Sequence, residues 1–532
     1  MARPVTYTGA RIFDGRSWLS ASSFTVADGR FTRIGAGPEA GDEVRDLGGR
    51  LVLPGLIDAH CHPVELAEAA EQIALTPPSV HSIADITDAV RDRARSQPAG
   101  SWIVGWGYDE GKLREGRAPH RRDLDAVSPD HPVMLVRACG HIAAVNSVVL
   151  ETLQVHRDTP DPEGGVFDRF PDGTPTGVLR EHAKDLVYNI LPPRDPDQVG
   201  RLLGRLAPHL LAHGLTSVSE LTATYSPDKP ELDSAAIFHA ARRHGFPHPV
   251  SLFYVWDQIK RTPGRPRPQG PFTDGIRFGG IKMFADGSVT GRTAWVSPAF
   301  EPFAGLSGDD GIPLLDPDEI REGARQAAEW GVQLAVHAIG NRAIQQVVET
   351  LAELDPWLSD RPSARVEHGG LPEPAVLETA ARAGIAFVMQ PIFLYAEIES
   401  YVRHLGERRA AIQYPVRSAL EAGVPLCLSS DAPATAWHDP SNPWLGIYTA
   451  VTRRVHDGRL FGPEEAIDAA TAIRLYSAEA ARVAGIPGGV IEVGAPADFA
   501  VYDAGVMSEP DRLPDVQAQE TVMAGQVVYR RG

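Results

Sequence analysis

The 532-residue sequence predicts an α/β protein built on a closed barrel of eight parallel strands. Two observations carry that prediction. First, one phrase recurs, an amphipathic stretch followed by glycine and a short β-branched or apolar run: "LAPHLLAHGLTSVSEL", "AARRHGFPHPVSLFYV", "AAEWGVQLAVHA", "ARAGIAFVMQP" and "LEAGVPLCLSSD". Glycine just past a helix end supplies the left-handed backbone that closes it, and the apolar run reads as a buried strand. Second, the strands reach the right number. With "LIDAHCH", "GIRFGGIKMFAD" and "SARVEHGG" added, they lie near 56–62, 215–221, 249–255, 276–286, 332–338, 364–369, 385–391 and 425–431. Strands alternating with helical patterns are βαβ units. Eight of them fit a (β/α)8 TIM barrel, whose active site lies at the carboxyl ends of the strands. A doubly wound open sheet is the alternative.

Two regions break the rhythm. About 150 residues separate the first two strands and contain "SWIVGWGYDEGKL", "PVMLVRACGHIAAVNS" and "DPEGGVFDRFPDGTPTGVLREHA". This insertion, taken as 64–199, is too long for a plain loop and too rich in strand and turn signals for disorder. Growing from a carboxyl-end connection, it is expected to cover the barrel mouth, which leaves 55–63 and 200–484 for the barrel. At the termini, "VTYTGARIFDGRSW", "FTVADGRFTRIGAG" and "VRDLGGRLVLPG" are short strands broken by Asp-Gly and Gly-Gly turns. "GGVIEVGAPADFAVYDA" and "ETVMAGQVVYRRG" share that texture, so 1–54 and 485–532 are expected to combine in one composite β-sandwich.

Composition narrows the function. With 43% hydrophobic and 23% charged residues, the chain reads as a soluble globular protein with ample core. A net charge of −18 and the lack of a long basic block argue against nucleic acid or an anionic membrane as the main partner. No apolar run reaches the ~18 residues of a membrane helix, and the start lacks a secretory apolar core. Cys61, Cys139 and Cys427 are odd in number and form no CxxC pair, so a reducing cytoplasm is the expected location.

The strand ends carry the chemistry. In "LPGLIDAHCHP", His60 and His62 are two residues apart and so share a face of their strand, while Cys61 faces the other way, into packing. The fourth strand carries Lys282, with Asp286 four residues later; the fifth ends at His337, the sixth at His368 and the eighth at Asp431. Each has an ordinary reading alone: a solvated histidine, a paired lysine, an aspartate capping a turn. Six of them at the strand ends of one barrel point instead to a divalent metal such as zinc, which imidazole and carboxylate ligands suit. Such an ion lowers the pKa of bound water from 15.7 toward ~7, and the resulting hydroxide attacks a carbonyl that the metal polarises. Asp431 stands where it can take the water's proton and deliver it to a leaving amine.

The order His-x-His, Lys, His, His, Asp on strands one, four, five, six and eight resembles the amidohydrolase superfamily of metal-dependent hydrolases, as does the split terminal sandwich. "PGLIDAHCH", "GGIKMFADGS", "VHAIGNRAI", "VEHGG" and "SSDAP", with "GHIAAVNS" in the insertion, are similar to the branch containing N-substituted formamide deformylases. That resemblance implies a carboxylated Lys282 bridging two ions, His60, His62 and Asp431 on one and His337 and His368 on the other. A one-metal version stays open. It also implies hydrolysis of an amide-type carbon–nitrogen bond, N-formyl or N-acyl, by a homodimer, with Asp431, Lys282 and His337 catalytic. Asn341 stands where relatives often carry aspartate.

For the small-molecule substrate, His141 resembles a pocket histidine of the insertion, and Arg292 is a candidate to orient a carbonyl or carboxylate. Trp102, Trp106 and Tyr108 form a candidate aromatic wall that favours aromatic or bulky amides, with at least one of them expected in the core. The rival chemistries are hydrolysis of a lactone, carbamate or cyclic amide on the same site. A non-catalytic, metal-binding regulatory protein is the rival class. A purely structural zinc fits poorly, because such sites are closed and cysteine-rich.

Overall fold

The computed structural model describes residues 3–77, 79–192, 195–229, 232–268, 273–302 and 308–532. Its central sheet has eight parallel strands in sequential order: β1 (Leu56–Cys61), β2 (Leu215–Ala223), β3 (Val250–Val255), β4 (Ile276–Phe284), β5 (Gln333–Ala338), β6 (Ala364–His368), β7 (Ala386–Met389) and β8 (Leu426–Leu428). Each starts at its expected residue or one later, and the open-sheet alternative falls. Helices Pro317–Trp330 and Pro374–Ala383 close on Gly331 and Gly384, at φ 65° and 66°, which is why glycine punctuates the repeated phrase.

Closure of the barrel is local. Between β1 and β8 the backbone bonds run from Asp431 N–H to the His60 carbonyl and from His62 N–H to the Ala432 carbonyl, each 2.8 Å. Beneath them the buried Asp58 carboxylate accepts from Ser430 N–H at 3.1 Å and Ser430 Oγ at 2.5 Å. β8 was expected to reach 431 but ends at Leu428, because residues 429–432 leave the ladder to make this seam.

Inside the barrel, Phe253 packs with Leu221 and Ala335. The "GG" of β4 leaves room for this ring and for its neighbours: a Cβ at Gly279 or Gly280 would stand 2.7 or 2.6 Å from Phe253 carbons, and 2.2 Å from Ser251 Oγ or the Gln333 carbonyl oxygen. The Arg365 guanidinium lies 4.4 Å from the same ring.

The other sheets follow the two irregular regions. Residues 51–54 pair antiparallel with 499–502 in a five-stranded sheet, so both ends of the chain share one ladder. A four-stranded sheet from the first 46 residues packs on it through Tyr7, Phe24, Phe31 and Phe499. Between β1 and β2, a six-stranded sheet docks on the loops that leave the barrel's carboxyl ends. Trp106 Nε1 donates to the Pro433 carbonyl at 3.1 Å, Arg137 to Thr290 Oγ1 at 2.7 Å, and Arg180 to the Gly291 carbonyl at 2.8 Å. Among the described residues, no helix is long and apolar enough to cross a membrane.

Phe253→Ala is expected to cost about 3–5 kcal/mol, because the barrel wall cannot collapse into the space left. A thermal midpoint equal to that of the wild type would show that the ring is not the interior's main filler.

Candidate metal centre

Five imidazoles form a chain across the barrel mouth. Ring centroids step from His62 to His60 (5.5 Å), His368 (4.9 Å), His337 (4.4 Å) and His141 (4.9 Å). Asp431 sits against one end. One of its oxygens lies 3.0 Å from His60 Nε2 and 2.9 Å from His62 Nε2, and the other is 3.9 Å from His368. Lys282 is buried at 1% exposure, and its charge is felt by His337, His368 and Glu367. His60, His62, His337, His368 and Asp431 therefore lie together, with Lys282 buried on β4 where its charge bears on two of them.

Local backbone explains how. His60 and His62 share a face by simple strand alternation. Glu367 and His368 are consecutive, yet both reach His60, which extended backbone forbids. His368 adopts φ 73°, and Asp431 likewise φ 58°. Left-handed backbone at non-glycine residues costs of order 1–3 kcal/mol and persists only where the surroundings enforce it.

Each barrel histidine has one nitrogen occupied by an acceptor. His60 Nδ1 donates to Glu367 Oε2 (2.5 Å), His62 Nδ1 to Thr222 Oγ1 (3.0 Å), His337 Nε2 to the Gly287 carbonyl (3.0 Å) and His368 Nδ1 to Gln390 Oε1 (2.9 Å). Gln390 spends its own N–H groups on Val388 and Ser429, so its oxygen is the atom presented. Such partners set the tautomer and leave the lone pair on the opposite nitrogen. The His60 and His62 lone pairs then face the Asp431 carboxylate, an arrangement of acceptors that a cation between them satisfies.

The electrostatics divide, favouring neutral rings at His337 and His368 and a charged ring at His62. Burial drives His337 and His368 well below the ordinary imidazole range, which keeps them neutral as metal ligation requires. Burial also opposes charge on His62, but hydrogen bonds to Asp431 and Glu220 prevail and raise it to about 10. Asp431, despite burial, is held well below the usual carboxylate range by His60 and His62. Burial lowers Lys282 to about 8 against the pull of Glu367 and Asp431. Asp286, raised to about 7 by burial, accepts from Trp295, Ile339 and Gly340 N–H groups and so ties the loop after β4 to the loop after β5.

The remaining residues sort plainly. His141 reaches the cluster, with Nδ1 held by Glu181 Oε2 at 2.7 Å. Arg292 does not: its guanidinium binds the Glu301 carbonyl (2.7 Å) and Asp309 (2.9 Å), turned to the rim by φ 58°. Tyr108 is fully buried in the insertion's own core rather than in a wall over the site, because its strand turns that face onto Leu135 and Ile86. Trp106 is anchored to Pro433 at the edge, and Trp102 packs within the insertion. Cys61 packs in the core with Sγ on the Ser219 carbonyl. Asn341 forms no salt bridge; its amide brackets the Ser297 backbone.

A small pocket opens beside the cluster, lined by His141, His337, His368 and Asp431 and by three residues that sequence reasoning missed: Phe393, Glu397 and Tyr401. Phe393 stacks on His368 at 6.0 Å. Glu397 sits at a non-helical residue (φ −122°, ψ 17°) inside helix 391–411 and accepts one long bond, 3.4 Å, from Ala436 N–H. Burial raises it to about 8, helped by Asp109 and opposed by Arg137 and Lys112. Nothing in "PIFLYAEIES" marks it; Glu367, in "VEHGG", was at least visible beside a histidine.

The Glu397 carboxyl keeps its proton in the folded state between its ordinary 4.5 and about 8, so its contribution to stability falls as pH rises through that window. Glu397→Gln removes this slope. The variant is expected to gain thermal midpoint over the wild type above pH 8 and to show no gain below 4.5. Identical pH dependence in both proteins would mean that the carboxyl ionises freely.

Comparison with known proteins places the chain. A model described as the amidohydrolase family matches residues 43–529. YtcJ of Bacillus subtilis (strain 168) is 30% identical over 491 residues, covering 91% of this chain and 90% of its own. The N-substituted formamide deformylase of Arthrobacter pascens is 30% identical over 542 residues, covering 98% and 97%. An uncharacterized metal-dependent hydrolase from Pyrococcus horikoshii superposes with a TM-score of 0.72 at 24% identity, covering 94% of this chain and 97% of its own. One from Pyrococcus furiosus does so with a TM-score of 0.69 at 26% identity, covering 94% and 99%. A metal-ready histidine cluster at the mouth of this barrel, with a family match over most of the chain, makes it an enzyme of the amidohydrolase family, an amidohydrolase-type metallohydrolase.

Proposed function

We propose that the enzyme hydrolyses an amide-type carbon–nitrogen bond, foremost that of an N-formyl or N-acyl amine, to a carboxylate and an amine. The observation that carries this reading is the set of four barrel histidines whose outward nitrogens are each occupied by an acceptor, gathered around Asp431. Full-length similarity to a protein named N-substituted formamide deformylase supports the formyl case.

His60, His62 and Asp431 would hold one ion, and His337 and His368 a second. Lys282 would bridge them as a carbamate, and zinc suits this donor set. Only a neutral amine combines with CO₂, and the burial that lowers Lys282 toward 8 favours that form. When bound, a divalent ion supplies Lewis acidity that brings proton loss from water within reach of neutral pH. Asp431, ionised and beside the cluster, accepts the proton of the attacking water and returns it to the leaving nitrogen. His141, oriented by Glu181, lines the side of the pocket where the carbonyl oxygen would lie. Phe393 and Tyr401, rather than Trp106 and Tyr108, offer an aromatic surface to the substrate. The division into sandwich (1–54 with 485–532), barrel (55–63 with 200–484) and cover (64–199) belongs to the same proposal, the cover shaping the pocket.

A panel of N-formyl amines, N-acyl amines, carbamates, lactones and cyclic amides tests this. Chelation is expected to abolish turnover of the formyl and acyl amines, and a divalent ion to restore it. Asp431→Asn is expected to lower turnover by about 10²–10⁴-fold in folded protein. Turnover indifferent to both would remove the mechanism; a lactone as the only substrate turned over would replace the amide.

A further inference from the structure

A second cluster lies apart from the barrel mouth. His209 and His213 are four residues apart at the end of helix 196–212, and Asp439 comes from the segment that follows Asp431. His213 stands two residues before β2 begins, at the opposite end of that strand from Thr222. His209 Nε2 lies 2.9 Å from one Asp439 oxygen and His213 Nε2 3.3 Å from the other, with Ser441 Oγ 3.1 Å from His209 Nε2.

We propose that His209, His213 and Asp439 form an accessory site for one divalent ion of the zinc class. Three features argue for it together. The pattern repeats that of His60, His62 and Asp431: two imidazole Nε2 atoms converging on one aspartate, with all three ligand atoms within 4.8 Å of one another. Residues at i and i+4 share a helix face, so the backbone itself aims both rings at one point. Ligands about 2.0–2.1 Å from a tetrahedral ion lie roughly 3.3 Å apart; the His213–Asp439 edge has that length, and the His209 edge, to the other oxygen, is shorter at 2.9 Å.

His213 is the buried member of the set. Its side chain is 5% exposed, and among the described residues its Nδ1 has no hydrogen-bond partner. The His209 side chain, 46% exposed, leaves the fourth position open to water. The site therefore takes an exchangeable ion with three protein ligands, unlike a closed structural zinc.

The position gives such an ion a mechanical role. The His213 carbonyl accepts from Trp444 Nε1 and Tyr502 Oη, each 3.2 Å, while Ala518 N–H donates to the Ala212 carbonyl at 2.8 Å. Helix 196–212, the segment after β8 and the carboxyl-terminal strands thus meet here. The ion would tie helix 196–212 to the segment after β8, beside the contacts that helix makes with the carboxyl-terminal strands.

The test counts metal in the full-length enzyme. Wild type, His209→Ala and Asp439→Asn are equilibrated with zinc, passed through gel filtration, and their bound zinc measured along with thermal midpoints at matched free zinc. The wild type is expected to carry one more equivalent than either variant, and zinc to raise its midpoint more than theirs. His209 is partly exposed on a helix, where alanine is well tolerated, so that variant folds even if Asp439→Asn does not. Equal zinc in wild type and His209→Ala, with equal midpoint shifts, overturns the proposal and leaves a His–Asp–His hydrogen-bonded cluster. The count does not depend on turnover, so the amide-hydrolase reading stands or falls separately.

Discussion

Everything at the barrel mouth depends on one shared carboxylate. Asp431 receives both members of the His60–His62 pair on a single oxygen, and its own N–H closes the barrel onto the His60 carbonyl. Closing the sheet and assembling the candidate metal centre are therefore the same event. A buried carboxylate left without positive partners costs several kcal/mol, so the seam is favourable only when a cation, protonic or metallic, stands among these groups.

A second layer of polar residues makes that arrangement definite. Glu367 orients His60, and the wholly buried Arg365, 2.5 Å away, neutralises Glu367. Arg365 also donates to the Ala59 carbonyl, which ties β6 to β1 across the mouth. Gln390, Thr222 and the Gly287 carbonyl do the same for the other rings without adding charge. Ring nitrogens are thereby aimed in advance, and no reorganisation energy is spent when an ion arrives.

The pocket wall is shared between the insertion and a helix of the barrel. The metal-facing residues come from barrel strands or their immediate exits, whereas His141 comes from the insertion. Helix 391–411 supplies Phe393, Glu397 and Tyr401. The two parts fit closely. A Cβ at Gly111 of the insertion would stand 2.3 Å from Ser400 Oγ on that helix, so a change in one wall shifts the other. Function varies in this way over a constant framework when the loops and insertions above a barrel carry substrate contacts.

The barrel was legible in the sequence because its signals are local. Strand periodicity, glycine after each helix and a chemistry-bearing residue at each strand end can be read within ten or so residues. The set His60, His62, Lys282, His337, His368 and Asp431 could be named for that reason. What the tertiary structure alone decided are the partners and directions that join distant segments. Arg292 turned to Asp309 and Tyr108 to the insertion core because neighbours far along the chain offered better burial. Glu397 entered the pocket through a helix distortion that the sequence does not announce. Backbone alternation even predicts the wrong face for His368; only the packing around it compels the left-handed turn that brings it inward. Local pattern sets which residues stand at the strand ends, and long-range packing sets where they point.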